Sequence, residues 1–536
     1  MRRRGRTYRQ RQQRQRQRQQ QQQQQLAARG RPCTDKTWSD LRSWCKARGM
    51  AKTKLTLAYF PGTLRGMMAT KGIGAGEDLV RVPESLLVTA SKVRRLVTAS
   101  MRSAAACSRS GSTHLPWTLS EHQSLTYWLY TESEKPSGSE WCMYIDSLPR
   151  DFASVPLSTL AGQTPSSRIA MDASEASWIM GHLPYSAQQR AIEQYERLHR
   201  DWAQTCGFLE LLGLAAPAVW RRYVWAWLAV NTRCIHLGRR RAATDRRSSE
   251  GGSRDSRDSM ALAPVLDFLN HSEQADVTTF YDSARRQFVI KTNRAFSRGE
   301  EVFISYGPHD NRFMLLEYGF VLRHNPYQVL ELDHAVKAWV DAAKSRSRAA
   351  KRPSSAAMQP ADIDELIDTL KQHRLWGDFT VSLDDLEPSY RLTAALRLLL
   401  LAEQRSMTPK QAVALWGRWR RGLVEKTAAE QSADRAVQQA IGAWMCAVCQ
   451  GMARLSQRML RETSIDSKEQ LQSQSQSQSQ SQSQSQSQGS IGSVDRFLVQ
   501  CLHTVWLEIS SIAQRCLENL ETAASEQRNG AEQQHP

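Results

Sequence analysis

The chain changes its hydrophobic period four times, and that order of changes limits it to folds that segregate strands from helices. Residues 36–48 set Trp38, Leu41, Trp44 and Cys45 at helical spacing. From Leu55 to Val88 the pattern becomes short β-type runs broken by Gly62, Gly66, Gly72, Gly74 and Gly76. Gly72 to Gly76 lacks the third glycine and the following helix of a dinucleotide loop, so it reads as a turn between strands. Residues 92–235 are helical in pattern. Leu119–Tyr130 and Ala191–Trp202 are expected to be amphipathic, and Trp220–Val230, apolar nearly all round, to be buried. The β pattern then returns, with a hairpin of 277–281 and 287–292 around 282–285 and a third strand at Val302–Ser305. From Tyr327 onward, after one more short strand, the chain is helical, with helices expected at Ala394–Glu403, Ala412–Val424 and Val494–Glu521. In the last of these Phe497, Leu498, Leu502, Val505 and Leu507 should dock. The class is α+β.

Three polar clusters interrupt these apolar runs. Asp267-Phe268-Leu269-Asn270-His271 comes first, Tyr306-Gly307 follows 35 residues later, and Glu317-Tyr318-Gly319-Phe320 comes third. A buried Asn-His pair needs partners, because an unsatisfied polar group in a core costs about 1–3 kcal/mol. A tyrosine after Val302-Phe303-Ile304-Ser305 delivers its hydroxyl to a strand end. Taken alone, Tyr306 reads equally well as a strand-end tyrosine bonded to a backbone carbonyl.

In order along the chain, these motifs resemble the SET-domain methyltransferases with a split SET domain, the class of the Rubisco large-subunit lysine methyltransferase. Leu64-Arg65-Gly66-Met67-Met68-Ala69 stands where the class has its Gly-Arg-Gly-Leu turn, and Leu64 departs from the usual glycine. Tyr223 to Trp227 leads into Val230-Asn231-Thr232-Arg233, and Leu262 to Leu266 leads into Asp267-x-x-Asn270-His271. Gly299 to Gly307 closes the core, and Ser389 to Arg391 and Ala394 to Leu399 look like the helical substrate-binding domain. The resemblance implies a tail at 1–35 and a SET domain at 36–325. That domain has its core at about 52–91 and 260–307, a helical insert at about 92–237 and a mobile loop at 238–259. A helical substrate-binding domain follows at 326–536, interrupted by a disordered Ser-Gln insertion at 464–492.

The same resemblance implies an S-adenosyl-L-methionine-dependent protein-lysine N-methyltransferase acting on histone or non-histone lysines. Tyr306 is its pocket tyrosine, orienting methyl and amine. Arg65, Gly66, Met67, Arg233, Asn270, His271, Tyr306 and Phe320 face the cofactor, with Arg233 on its carboxylate. Arg233, Asp267, Tyr306 and Tyr318 face the substrate, and Tyr318 and Phe320 wall the lysine channel. Asp267 either contacts the substrate backbone or braces the Asn-His segment. No general base is needed, since desolvation and a nearby sulfonium both lower a lysine pKa from about 10.4. Three rivals stand beside this reading: a protein-histidine methyltransferase of the same class, an inactive SET scaffold, and a nucleic-acid-associated protein.

Composition narrows the partners. The net charge is +19, of which residues 1–32 supply eleven arginines and no acid. A second cluster, Arg239 to Arg247, sits in a Ser/Gly-rich stretch, where almost no apolar content predicts a loop. Such runs are solvated tails or nucleic-acid contacts, so any nucleic acid is assigned to the basic N-terminal tail alone. Arg and Gln bury too little apolar area to order that tail, and the strict Ser-Gln alternation of 472–488 has no apolar face. No apolar run reaches membrane-spanning length, and none precedes Leu26 as a secretory signal would require. Ten scattered cysteines suit reduced thiols in the nucleus or cytoplasm. Cys446-x-x-Cys449 supplies half a zinc site and reads instead as two small residues on a buried helix, so no metal is expected.

Overall fold

The computed structural model describes residues 29–107, 119–135, 138–162, 165, 174–211, 219–237, 260–349, 358–384, 386–405, 407–421, 428–464 and 494–532. The expected tail, the 238–259 loop and the Ser-Gln insertion fall outside them, apart from a few flanking residues. The described residues form two compact units. The first runs to Phe152 and adds Ala161–Ser167 and Glu196–Pro308; the second takes Ala153–Leu160, Arg168–Tyr195 and His309 onward. Part of the helical insert thus clusters with the C-terminal region, and the division falls at Pro308.

In the first unit the chain enters through β1 (Arg31–Pro32) and the helix Lys36–Ala47. Asp35 caps that helix by accepting from the Thr37 amide at 3.0 Å. Its buried stripe is Trp38, Leu41 and Cys45. The strands β2 (Leu55–Phe60) and β3 (Leu64–Ala69) form an antiparallel hairpin over a three-residue loop that starts with Pro61. Leu64, the first residue of β3 and paired with Phe60, sits in the left-handed region at φ +59°. The strand β4 (Asp78–Pro83) follows the glycine-rich turn. Beyond it come β5 (Val88–Thr89), β6 (Ile235–His236), β7 (Met260–Leu262), β8 (Asn270–His271), β9 (Val277–Asp282), β10 (Gln287–Thr292) and β11 (Glu301–Ile304).

Three sheets result, in orders β1-β2-β3-β11-β8, β4-β10-β9 and β5-β7-β6. The strand β11 organises the first. It pairs antiparallel with β3, setting Glu301 against Met68, and parallel with β8, setting Ile304 against His271. Residues more than two hundred positions apart become neighbours on one short sheet. The parallel pair needs a crossover, and the hairpin β9–β10, which docks onto β4, supplies it.

The helical insert differs from expectation at one element. The helix Glu121–Ser133 is buried at every position from Gln123 to Tyr130 rather than along one stripe. It packs against Ala90–Cys107 on one side and Trp220–Arg233 on another, so polar positions are enclosed too. Asp201 accepts from Gln123 Nε2 at 2.7 Å and from Trp227 Nε1 at 3.0 Å, which satisfies both of these buried donors.

The second unit contains the helices Asn311–Tyr318, Asp333–Ala349, Pro360–Gln372, Tyr390–Arg405, Pro409–Arg421, Ala428–Glu462 and Arg496–Glu532. It also carries an antiparallel pair, β12 (Val329–Glu331) and β13 (Thr380–Ser382), of which only the first strand was expected. The last helix docks on Ala428–Glu462, and its Leu498, Leu502 and Val505 are buried. Phe497 and Leu507, expected in the same stripe, are exposed.

Candidate active site

Three elements of the first unit converge around β11. On one side, β8 carries Asn270 and His271. The Asn270 amide donates to the Arg65 carbonyl and to Glu301 Oε1, both at 2.8 Å. This uses both amide hydrogens and turns the side-chain carbonyl oxygen away from those partners. Burial raises the Glu301 carboxyl above its ordinary range, while Thr63 and Asn270 pull it back. A Cβ at position 66 would collide with that carboxylate and lie 2.8 Å from Asn270 Nδ2. Gly66 is therefore required by the close approach of these two side chains.

His271 is buried, and its Nδ1 accepts from the Tyr306 amide at 3.0 Å, which fixes the ring as the Nε2–H tautomer. The Tyr306 hydroxyl donates to the Leu269 carbonyl at 2.9 Å. Burial pushes this phenol up to about 12, with Asp267 and Glu301 adding and Arg233 opposing. At neutral pH it is a fixed, protonated hydroxyl. The Tyr306 hydroxyl is thus bonded to a backbone carbonyl, at the end of the strand that pairs with the Asn-His strand.

The third element is the 3₁₀ turn Leu266–Phe268, entered through Val265 at φ +73°. A buried β-branched residue in that region stores about 1–3 kcal/mol, a strain that marks functional sites when the surroundings enforce it. Asp267 is buried; its Oδ2 accepts from the Tyr144 hydroxyl at 2.8 Å, and its Oδ1 makes no hydrogen bond among the described residues. Burial lifts its carboxyl to about 6, against Arg233, Tyr144 and Arg65. Arg233 Nη1 donates to the Asp267 backbone carbonyl at 2.6 Å. Both guanidiniums lie near the Phe268 ring, Arg65 at 5.1 Å and Arg233 at 6.0 Å from its centroid.

The sequence-derived set divides accordingly. Arg65, Gly66, Arg233, Asp267, Asn270, His271 and Tyr306 fall in this one region of the first unit. Arg65, Gly66 and Met67 lie in strand β3, whereas the sequence placed them in the turn, which is Pro61 to Thr63. Met67 is fully buried. Tyr318 and Phe320 belong to the second unit, half-buried and paired with ring centroids 6.2 Å apart. Between them Gly319 ends the helix in the left-handed region, at φ +78°.

Sequence reasoning missed Glu301, Thr63 and Tyr144. Glu301 alternates with buried Val302 at the start of a strand, a signal that could have been read. Tyr144 lies in the apolar run Trp141 to Ile145, and nothing local announces its bond to Asp267. Among the described residues no cluster of His, Cys, Asp and Glu could hold a metal ion, and no helix is long and apolar enough to cross a membrane. Cys449 is buried and Cys446 partly so.

Comparison with known proteins agrees with this geometry. The sequence pattern described as SET domain matches residues 64–307. SET domain-containing protein 4 of Mus musculus is 31% identical, over 70% of this chain and 75% of its own. The ribosomal lysine N-methyltransferase set11 of Schizosaccharomyces pombe is 24% identical, over 68% of this chain and 75% of its own. The actin-histidine N-methyltransferase of Drosophila melanogaster is 27% identical, over 53% of this chain and 48% of its own. In fold, the chain is similar to the crystal structure of the SET domain of LSMT bound to lysine and AdoHcy, with TM-score 0.54 at 14% identity over 92% of this chain and 93% of that one. A β core split by helices, a strand-end tyrosine beside an Asn-His strand and these relatives lead to one conclusion: the chain belongs to the SET-domain methyltransferase family.

Proposed function

We propose that this chain is an S-adenosylmethionine-dependent protein methyltransferase whose acceptor is a lysine side chain. The observation that carries the reading is the convergence on β11 of Asn270, His271 and Tyr306, with the Tyr306 hydroxyl anchored on Leu269 and the Asn270 amide on Arg65 and Glu301. When bound, S-adenosylmethionine supplies an electrophilic methyl on a sulfonium. The donor and acceptor set fits its amino acid head. Arg233 offers a guanidinium to a carboxylate, and Asn270, its hydrogens spent, offers a carbonyl oxygen to an ammonium.

The remaining residues position and exclude water. Tyr306, protonated at neutral pH, orients by its hydroxyl and is not a base. The acceptor amine loses its proton because burial beside a cation disfavours its charged form. Asp267 keeps one buried carboxylate oxygen for a substrate donor, and Tyr318 and Phe320 are assigned to the acceptor side chain. Lysine is favoured over histidine because this chain spans 75% of a lysine-methylating relative and 48% of a histidine-methylating one. Transfer of a labelled methyl group to lysate proteins, followed by acid hydrolysis and separation of methyl amino acids, tests it. Label in methyllysine is expected; label in methylhistidine would replace the acceptor, and no incorporation would sink the enzymatic reading.

A further inference from the structure

A buried polar network in the second unit holds the segment that carries Tyr318 and Phe320. Asn311, Asn325 and Gln328 are each fully buried. Asn311 Oδ1 accepts from the Leu322 amide at 2.9 Å and from Asn325 Nδ2 at 3.1 Å, and Asn311 Nδ2 donates to the Leu322 carbonyl at 2.7 Å. Asn325 Nδ2 also donates to the His309 carbonyl at 2.9 Å, and the Asn311 amide donates to Gln328 Oε1 at 3.0 Å. The network ties 309–328 to itself.

One partner comes from far along the chain. Glu508, on the helix Arg496–Glu532, accepts from Asn311 Nδ2 at 2.6 Å through Oε2, and its carboxyl also accepts from the backbone amides of His324 and Asn325. We propose that Glu508 is a positioning residue, a carboxyl clasp that fixes the 309–328 segment and lets proton uptake set how firmly Tyr318 and Phe320 are held. The role of those two aromatics rests on the function proposed above; the clasp itself does not.

Burial pushes the Glu508 carboxyl up to about 7, and the charge of Asp310 adds to this, while the three hydrogen bonds oppose it. Other groups nearby are committed. Arg312 is paired with Asp310 and Glu331, and the His309 ring stacks on Phe313 at 3.8 Å. One turn away on its own helix, Glu508 meets only uncharged Thr504, Val505, Ser511 and Ile512. A carboxyl raised in the folded state binds more protons there than when released. The clasp is therefore firmest below about pH 4.5, weakens as pH rises toward 7 and levels off above it.

Hydrogen exchange of the full chain, corrected for intrinsic rates, tests this directly. For one carboxyl titrating near 7, linkage predicts that opening of 309–328 increases about tenfold between pH 6 and pH 8. Glu508→Gln should abolish that dependence. Asp310→Asn, which keeps a capping side chain, should move the midpoint to lower pH and serves if the first variant folds poorly. Calorimetry should show donor binding unchanged in Glu508→Gln, while KM for protein acceptor loses its pH dependence. An exchange profile equally pH-dependent in Glu508→Gln, or flat in the native chain, would overturn the clasp. Absence of methyl transfer with a pH-dependent clasp would overturn the proposed reaction instead.

Discussion

Tyr306 and Gly66 show how little separates this site from an ordinary sheet edge. The Tyr306 phenol stays protonated and is aimed by one bond to the Leu269 carbonyl. Removing a single preorganised hydroxyl from a methyl-transfer site should cost about a hundredfold or more in turnover. Tyr306→Phe is therefore expected to lose turnover by that factor while calorimetric donor affinity stays the same; full turnover would remove Tyr306 from the chemistry. Gly66 faces the Glu301 carboxylate and the Asn270 amide where a Cβ would stand. Gly66→Ala overpacks that point, and a destabilisation of about 1–3 kcal/mol is expected in a denaturant melt. An unchanged midpoint would mean that the two side chains yield freely. The tyrosine and the Asn-His pair were legible because each breaks an apolar run. Tyr144 was not, because its bond to Asp267, far away in sequence, leaves no local trace.

At the scale of elements, the hairpins and single-stripe helices were legible because their period reports which face is buried. The helix Glu121–Ser133 misled because it is enclosed on all sides, and its Gln123 is satisfied by Asp201, which lies some eighty positions later. Phe497 and Leu507 misled in the opposite sense: apolar character does not compel burial. The β2–β3 hairpin illustrates a third case. The first residue after its loop, Leu64, is held at positive φ and is 71% exposed. The left-handed region costs a side-chain-bearing residue about 1–2 kcal/mol, and glycine returns about 0.5–1 kcal/mol of that as unfolded-state entropy. The difference favours the folded state, so Leu64→Gly should raise the melting midpoint modestly. A lowered midpoint would show that the exposed side chain contributes more than its backbone costs.

Across the whole molecule, the split core was legible from the change of period, but its grouping into compact units was not, since packing of 153–160 and 174–195 with the C-terminal region has no signature in periodicity. Charge is also a whole-molecule property, concentrated in residues 1–32. Removing residues 1–28 should leave methyl transfer to protein unchanged and abolish any salt-sensitive retention on nucleic acid. Loss of transfer would give the tail a role in the reaction. The central claim is that Asn270, His271 and Arg233 hold a sulfonium methyl donor beside Tyr306. Titration of S-adenosylhomocysteine into the full chain and into Asn270→Ala, followed by calorimetry, tests it most directly. The account predicts one-to-one binding that weakens by about tenfold or more when this hydrogen-bonding amide is removed; equal affinity in the two proteins, or no binding to either, would contradict it.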